Sequence, residues 1–194
     1  MPKGTHLPTV DEIRSINPYV QIPVLGYVAQ SVFIPPTTGR SAVEVQAADI
    51  AILQITGVSK SGPTFGVTSV PASFPYAKLL PVADYNPVNE QVVTYGFPGD
   101  VTAGQKNAFE TLTMTGSVGR ITRIEGGDAF YKDMPLIITA SMEVAHGRSG
   151  SPLFWRGYVI GIVTYYTSDN RTDSGSVASD AILKALQGTG YYGG

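Results

Sequence analysis

The sequence predicts an all-β protein, and three observations favour this class. Its 194 residues include 22 glycines and 14 prolines, a composition typical of many short strands joined by tight turns. Only 14% of the residues are charged and 43% are hydrophobic, which supplies enough apolar surface for a substantial core. Strand-like segments recur at short intervals in the C-terminal half. A chain of this length suits one domain, or two small barrels that share an interface.

The first predicted element is an edge strand or a bulged strand over residues 19–34. Its β-branched and aromatic residues alternate with a period close to two, and Pro23 and Gly26 interrupt the pattern. A turn at 35–39 then leads into a predicted hairpin that carries Asp49 at its joint, at the head of an apolar strand.

Polar and proline-rich residues at 59–75 predict a loop that contains one short strand. Strands are then predicted one after another along the C-terminal half, at residues 91–97, 110–124, 134–142, 152–156 and 158–167. The second of these is the longest, and its glycines predict a bend or a bulge. Residues 179–188 combine a capping serine, an acidic first turn, an apolar face and a final glycine, so they predict one C-terminal helix.

Charge and residue usage exclude several function classes. The net charge is −2, the pI is about 5.6, and lysines and arginines form no cluster, so neither nucleic acid nor an anionic membrane is expected as a partner. The absence of cysteine excludes disulfides and thiolate metal sites. The N-terminus lacks the apolar region of a signal peptide, and no apolar run reaches the length of a transmembrane helix. Nucleotide-binding glycine motifs and metal-ligand spacings are also missing, so we expect no cofactor and no metal.

The most informative segment is His-Gly-Arg-Ser-Gly-Ser-Pro-Leu-Phe at 146–154. A serine hydroxyl is a weak nucleophile unless a base lies beside it and hydrogen-bond donors face the developing oxyanion. Gly147 and Gly150 allow backbone turns that point consecutive N–H groups at one place, and Pro152 fixes φ as an apolar strand begins. The pattern favours a nucleophile at Ser149. Taken alone, it suits an ordinary turn between two strands equally well, because Gly, Ser and Pro dominate turns.

Three other segments accompany this motif in a definite order. Ala-Asp-Ile-Ala-Ile-Leu occupies 48–53, Val-Val-Thr-Tyr-Gly-Phe-Pro-Gly occupies 92–99, and Gly-Tyr-Val-Ile-Gly-Ile-Val-Thr occupies 157–164. Together with the serine motif they resemble the trypsin-like (chymotrypsin-fold) serine peptidases, and the ordered set is far more specific than any single motif. The strongest similarity is to the cysteine-free bacterial branch that includes the HtrA-type proteases. It covers roughly residues 40–186.

The resemblance implies two six-stranded antiparallel β-barrels and a C-terminal helix. Residues 1–88 would be the remainder of the N-terminal barrel, and residues 89–194 would form the C-terminal barrel with the helix. The strands that precede the family's histidine are absent from this chain, so the first barrel is expected to be incomplete and to expose unpaired sheet edges. A cleaved N-terminal segment or another subunit is therefore a candidate partner that completes it.

The resemblance also implies a catalytic triad. Ser149 would be the nucleophile and Asp49 the carboxylate that orients the histidine base. The chain has two histidines, and His6 precedes Asp49 and Ser149 in the family's order of His, Asp and Ser. His6 is therefore expected to be the base. His146 lies inside the serine segment and is assigned to the wall of the pocket or to solvent.

Oxyanion stabilisation and substrate binding follow from the same resemblance. The backbone N–H groups of Gly147 and Ser149 would form the oxyanion hole. Arg148 stands where animal relatives carry the aspartate that pairs with a newly cut N-terminus, so activation by that salt bridge is not expected. The position of Glu143 suits either a preference for Arg or Lys or a simply exposed glutamate. The residues expected to bind a polypeptide substrate are Glu143, His146, Val163, Thr164 and Tyr165.

These expectations describe a serine endopeptidase that acts through an acyl-enzyme on Ser149 and, by family resemblance, lies outside the cytoplasm. The alternative is a protease-like domain that is inactive or cleaves itself once, and then serves as a binding or structural module. The short N-terminus favours this alternative. The intact surroundings of Asp49 and Ser149 oppose it.

Overall fold

The computed structural model describes residues 19–22, 26–33, 49–74, 76–96, 114–126, 136–144, 147–166 and 172–189. Its elements in chain order are β1 (Tyr19–Ile22), β2 (Tyr27–Phe33), β3 (Ile52–Val58), a 3-10 helix (Gly62–Phe65), β4 (Gln91–Gly96), β5 (Thr115–Glu125), β6 (Ile137–Ser141), β7 (Pro152–Trp155), β8 (Tyr158–Tyr166), β9 (Asp173–Ala178) and α1 (Ser179–Thr189). In this part of the chain, no helix has the length and apolar character needed to cross a membrane.

Strands β4 to β9 close into a six-stranded antiparallel barrel, which confirms the predicted fold class for the C-terminal half. The strand order is β4-β5-β6-β9-β8-β7, so β9 is inserted between β6 and β8. Between β7 and β8, Arg156 and Gly157 have φ values of 50° and 85°. A two-residue hairpin turn with positive φ at both positions matches the right-handed twist of its strands. Closure of the barrel removes its sheet edges.

The barrel interior is filled by alternate residues of its strands, as period-two side-chain geometry requires. On β4, Val92 and Thr94 are buried and the intervening Val93 is only half-buried. The core consists of Val82, Val92, Ile121, Ile138, Ala140, Met142, Val144, Leu153, Trp155, Ile160, Val163 and Ala178. Every barrel strand contributes to this cluster, so the barrel is a packed core and not a pore.

The N-terminal half contributes a three-stranded antiparallel sheet in the order β1-β2-β3. The prediction of one strand over 19–34 is wrong, because β1 folds back on β2 and places Ile22 opposite Tyr27. Gly26 precedes β2 with a φ of 71°, and a side chain there would also press on the Cα of Gly62 at 2.9 Å. Glycine is therefore required at this reversal. The predicted bulge is present, as register shifts between β2 and β3.

Two other elements differ from expectation. In the part of 59–75 that the structure describes, a 3-10 helix replaces the expected short strand. Strand β9 was not predicted at all, because Asp-Ser-Gly-Ser-Val-Ala contains a single β-branched residue and has little strand preference of its own. Its conformation comes from pairing with β6 on one side and β8 on the other. The predicted bulge in β5 lies between Ile121 and Arg123, after the glycines that suggested it.

Helix α1 is confirmed and ends at Thr189, one residue beyond the predicted final glycine. Its first turn fastens the segment that leads into β4. The Asp180 carboxylate accepts the backbone N–H groups of Val82 at 2.7 Å and Ala83 at 3.2 Å. The Ser179 hydroxyl donates to the carbonyl of Leu80. The division of the chain between residues 88 and 89 stays a prediction.

Candidate active site

Ser149 lies in a tight turn that leads into β7. Gly147 and Gly150 have φ values of 92° and 87°, a region that residues with a side chain rarely adopt. The N–H of Ser151 donates to the carbonyl of Arg148 at 3.0 Å and closes the turn. The two glycines of the serine motif therefore set the path of the backbone on both sides of the serine.

The serine turn, residues 147–151, is anchored on β8. The N–H of Gly150 donates to the carbonyl of Val163 at 2.8 Å, and the N–H of Val163 donates to the carbonyl of Ser151 at 2.9 Å. The Ser149 hydroxyl donates to the carbonyl of Thr164 at 3.3 Å, and the residue is exposed. The neighbouring strand thus holds the hydroxyl at the surface of the barrel.

The N–H groups of Gly147 and Ser149 have no acceptor within the part of the chain that the structure describes, whereas those of Gly150 and Ser151 are both bonded. Gly147 and Ser149 are exposed. Backbone donors of this kind, held in place beside a hydroxyl, can stabilise negative charge that develops on a bound carbonyl oxygen.

Gly96, at the end of β4, lies directly against the serine turn. A Cβ atom on Gly96 would lie 3.2 Å from the Cβ of Ser151 and would overlap the Ser151 hydroxyl. On the same strand, the Thr94 hydroxyl donates to the carbonyl of Pro152 at 2.8 Å. Strand β4 therefore supports the serine turn at Ser151 and the residue that follows the turn, Pro152, a role that was not expected from the sequence.

Asp49 lies shortly before β3, and it is exposed. The next residue, Ile50, packs against the small cluster of Ile137 and Val177, which is separate from the main barrel core. The β8 partner of Val177 lies two residues before Thr164, which accepts the Ser149 hydroxyl. Two residues of a strand span about 7 Å. The cluster that Ile50 contacts and the strand residue that accepts the Ser149 hydroxyl are therefore close neighbours in the barrel wall.

A family model of the trypsin-like peptidase domain matches residues 26–162. The chain belongs to the trypsin-like peptidase domain family. The resemblance inferred from the four ordered segments is thus confirmed. Among curated proteins, none matches this chain.

Solved structures show the same trypsin-like fold at low sequence identity. The HtrA-type protease AlgW with a decapeptide is 17% identical, and the match covers 86% of this chain and 42% of that one with a TM-score of 0.56. A Glu endopeptidase in complex with MPD is also 17% identical, with 84% and 64% of the two chains covered and a TM-score of 0.52. The chain therefore spans less than half the length of the first protein and under two thirds of the second.

Several residues named from the sequence lie outside the described part of this trypsin-like domain. These are His6, His146 and the side chain of Tyr165. Glu143 is described and is exposed. Val163 is 2% exposed in the core, and both of its backbone groups are bonded to the serine turn. Its side chain and backbone therefore position the turn and leave no group facing outward.

The burial of Arg148 was not expected from the sequence: the residue is only 5% exposed although it directly precedes the exposed Ser149. Its Nη2 donates to the hydroxyl of Thr115 at the start of β5. The only available signal was its position inside the serine motif, and arginine is rarely buried without a partner.

The other end of β7 carries a second polar cluster. The indole N–H of Trp155 and the guanidinium of Arg156 each donate to the Glu90 carboxylate at 3.2 Å. The hydrogen bond from Trp155, followed by attraction to Arg156, lowers the pKa of Glu90 below its ordinary value. Because this cluster and the serine turn flank opposite ends of β7, the cluster belongs to the frame of the trypsin-like domain and not to the serine turn.

Proposed function

We propose that this trypsin-like domain is a serine endopeptidase that cleaves polypeptides through an acyl-enzyme on Ser149. One observation carries the proposal: the exposed Ser149 hydroxyl lies in a turn where its own N–H and that of Gly147 have no acceptor among the described residues. Acyl transfer requires a nucleophile and donors for the developing oxyanion in one place. This turn offers both.

In the proposed reaction, His6 takes the proton of the Ser149 hydroxyl as the oxygen attacks the carbonyl carbon of the scissile peptide bond. The carbonyl oxygen becomes negative and accepts hydrogen bonds from the N–H groups of Gly147 and Ser149. His6 then gives the proton to the leaving amine as the C–N bond breaks, which leaves an ester on Ser149. Water attacks this ester with His6 as base, and Ser149 recovers its proton. Asp49 orients His6 and stabilises its charged form.

The proposed substrate is an extended polypeptide that lies along β8 beside the serine turn. The pairing of β7 with β8 begins at Pro152 and Ile162, so the later residues of β8 extend beyond β7. The Thr164 carbonyl, which accepts the Ser149 hydroxyl, belongs to this extension. An extended peptide adds to such a strand through main-chain hydrogen bonds. The decapeptide in the HtrA-type structure supports a polypeptide substrate.

Glu143 is proposed to favour Arg or Lys on the N-terminal side of the cleaved bond. Its exposed carboxylate lies six residues before Ser149 in the segment that leads into the serine turn. Charge complementarity sets such a preference. With peptides that differ only in Arg, Leu or Glu at this position, Glu143→Gln should reduce the preference for Arg. The control is Glu125→Gln, which changes an exposed glutamate of β5. An unchanged preference for Arg in Glu143→Gln would show that Glu143 does not select the substrate residue at this position.

The test of the proposed function is labelling with a fluorophosphonate probe, with the adduct mapped by mass spectrometry. The expected adduct lies on Ser149 and is absent in Ser149→Ala. His6→Ala should slow labelling by about 10³-fold or more, whereas His146→Ala should label at nearly the original rate. Loss of labelling in His146→Ala alone would reassign the base. A folded protein, verified by circular dichroism and a cooperative thermal transition, that forms no adduct would overturn the proposal and favour a binding role.

A further inference from the structure

We propose that Arg148 is the cationic half of a buried carboxylate-binding site beneath the serine turn. A carboxylate bound there fixes the turn in the conformation in which the N–H groups of Gly147 and Ser149 are available to bind an oxyanion. The site itself is inferred from the contacts of Arg148. Its effect on Ser149 rests on the proposed peptidase function.

The Arg148 guanidinium is buried and largely unpaired. The residue is 5% exposed, and its Nη2 donates to the Thr115 hydroxyl. Its Nε and Nη1 are inaccessible to solvent and have no hydrogen-bond partner in the described part of the chain. Arginine keeps its positive charge inside proteins, and a buried charge without a counter-ion is among the most costly features that a fold can contain. An unpaired group of this kind therefore points to a partner.

A carboxylate is the group that matches these donors. The guanidinium presents five N–H groups in a planar fork, of which the single one on Nε and the two on Nη1 lack an acceptor. A carboxylate offers two acceptor oxygens and the opposite charge, and its bonds to arginine are about twice as strong as neutral ones. A neutral hydroxyl such as that of Thr115 satisfies one N–H and leaves the charge uncompensated.

The site is connected to the proposed oxyanion donors by covalent geometry. Arg148 lies between Gly147 and Ser149, and its carbonyl accepts the N–H of Ser151 at 3.0 Å. Its side chain is held between Thr115 and the end of β4, where a Cβ on Gly96 would lie 3.6 Å from the Arg148 Cγ. Glycine-flanked backbone has many alternative conformations. An ion pair that immobilises Arg148 therefore also fixes the peptide group that carries the Ser149 N–H.

Two sources can supply the carboxylate: a free carboxylate from solution, or a carboxylate side chain of this protein. Among the described carboxylates, none forms an ion pair with Arg148. The two sources differ in one measurable respect. A free carboxylate stabilises the folded protein in proportion to its concentration, whereas an internal one does not respond to added anion.

The experiment measures the Tm of the full chain while acetate replaces chloride at constant ionic strength. Arg148→Met removes the charge and keeps the length, Arg148→Lys keeps the charge without the fork, and Arg123→Met is the exposed control. If an internal carboxylate is the partner, Arg148→Met lowers the Tm by about 10 °C at every acetate concentration, because it leaves that carboxylate buried and unpaired. If the partner is free, acetate raises the Tm of the wild type and not that of Arg148→Met.

Two results would overturn the inference. The first combines two observations: acetate does not change the Tm of the wild type, and the Tm of Arg148→Met equals or exceeds that of the wild type. Such a result would mean that the cation is unpaired, because an unpaired buried charge costs stability and its removal recovers that stability. The second result applies where Arg148→Met does not fold, so that Arg148→Lys takes its place in the comparison. It is a Tm of Arg148→Lys that equals the Tm of the wild type at every acetate concentration.

The coupling to Ser149 is measured separately as the rate of fluorophosphonate labelling. Arg148→Lys should label at least tenfold more slowly than Arg123→Met under conditions in which both are folded. Labelling at equal rates would overturn the coupling, whatever the Tm series shows. A wild type that cannot be labelled contradicts the peptidase proposal, and the Tm series still decides whether the carboxylate site exists.

Discussion

Gly96 and Ser151 approach each other so closely that a methyl group on Gly96 would lie 3.2 Å from the Ser151 Cβ and would overlap the Ser151 hydroxyl. Gly96 ends β4 and is buried, and Ser151 closes the serine turn and is 8% exposed. The contact joins two of the sequence segments that predicted the family. A side chain at this position would force Ser151 to move, so the conformation of the serine turn is coupled to the residue at the end of β4.

Gly96→Ala should therefore displace the serine turn. We expect fluorophosphonate labelling of Ser149 to slow by at least tenfold and the stability to fall by about 1–3 kcal/mol, because extra volume in a packed site forces backbone shifts. The matched control is Gly57→Ala on β3, where an added Cβ meets nothing within 4 Å. Equal labelling rates in the two variants would show that the turn does not depend on Gly96.

Replacement of Leu153 tests how much the barrel core contributes to the free energy of unfolding. Leu153 is fully buried on β7, directly after the proline that follows the serine turn. Leu153→Ala should lower the free energy of unfolding by about 2–5 kcal/mol, since it removes buried methyl groups and leaves a cavity. Leu53→Ala, on β3, is the control because Leu53 is 38% exposed, and its cost should be about 1 kcal/mol or less. Urea unfolding measures both, and equal losses would contradict the burial of Leu153 in the barrel core.

Replacement of Asp180 tests how much its contacts with the segment before β4 stabilise the protein. The Asp180 carboxylate accepts two backbone N–H groups, at 2.7 Å and 3.2 Å, and also lies in the first turn of a helix, where negative charge is favourable. Asp180→Ala should destabilise the protein by about 1.5–3 kcal/mol in urea unfolding. Lys184→Ala, an exposed change in the same helix, should have little effect. A loss that is no larger in Asp180→Ala would show that this contact is dispensable.

The barrel strands were predictable where side-chain pattern and secondary structure agree. Strands β4, β7 and β8 are rich in β-branched and aromatic residues, and glycines and prolines border them, so local preference already favours the observed structure. Strand β9 was not predictable in this way. Its serines and glycine prefer turns, and the strand forms because β6 and β8 supply hydrogen-bond partners on both sides. Pairing of this kind is a long-range effect that a local pattern does not carry.

Within the candidate site, too, features set by the local sequence were predictable and features set by long-range contacts were not. The path of the serine turn was predictable because Gly147 and Gly150 are required locally by their positive φ values. The burial of Arg148 was not predictable, because an arginine in a glycine-rich turn is expected to reach solvent. Its Nη2 donates to the hydroxyl of Thr115, which is far away in sequence and is brought to the site by strand pairing within the barrel.

The Glu90 cluster supplies a prediction about pH. The pKa of Glu90 is lowered, first by the hydrogen bond from Trp155 and then by attraction to Arg156, whose guanidinium also lies 4.9 Å from the centre of the Trp155 ring. A carboxyl whose pKa is lower in the folded protein than in the unfolded chain stabilises the fold above its ordinary value of 4.5. That stabilisation is lost as the pH falls through the lowered value.

Trp155 reports this loss directly, because it is the one tryptophan of the chain and its indole N–H donates to Glu90. Protonation of Glu90 weakens that hydrogen bond, so the fluorescence of Trp155 should change with a midpoint below pH 4.5. The transition should vanish in Glu90→Gln and persist in Glu125→Gln, which alters an exposed carboxylate of β5 that pairs with Arg123. A midpoint at or above 4.5, or a transition that survives in Glu90→Gln, would mean that another group controls the fluorescence. The hydrogen bond from Trp155 would then not be what lowers the pKa of Glu90.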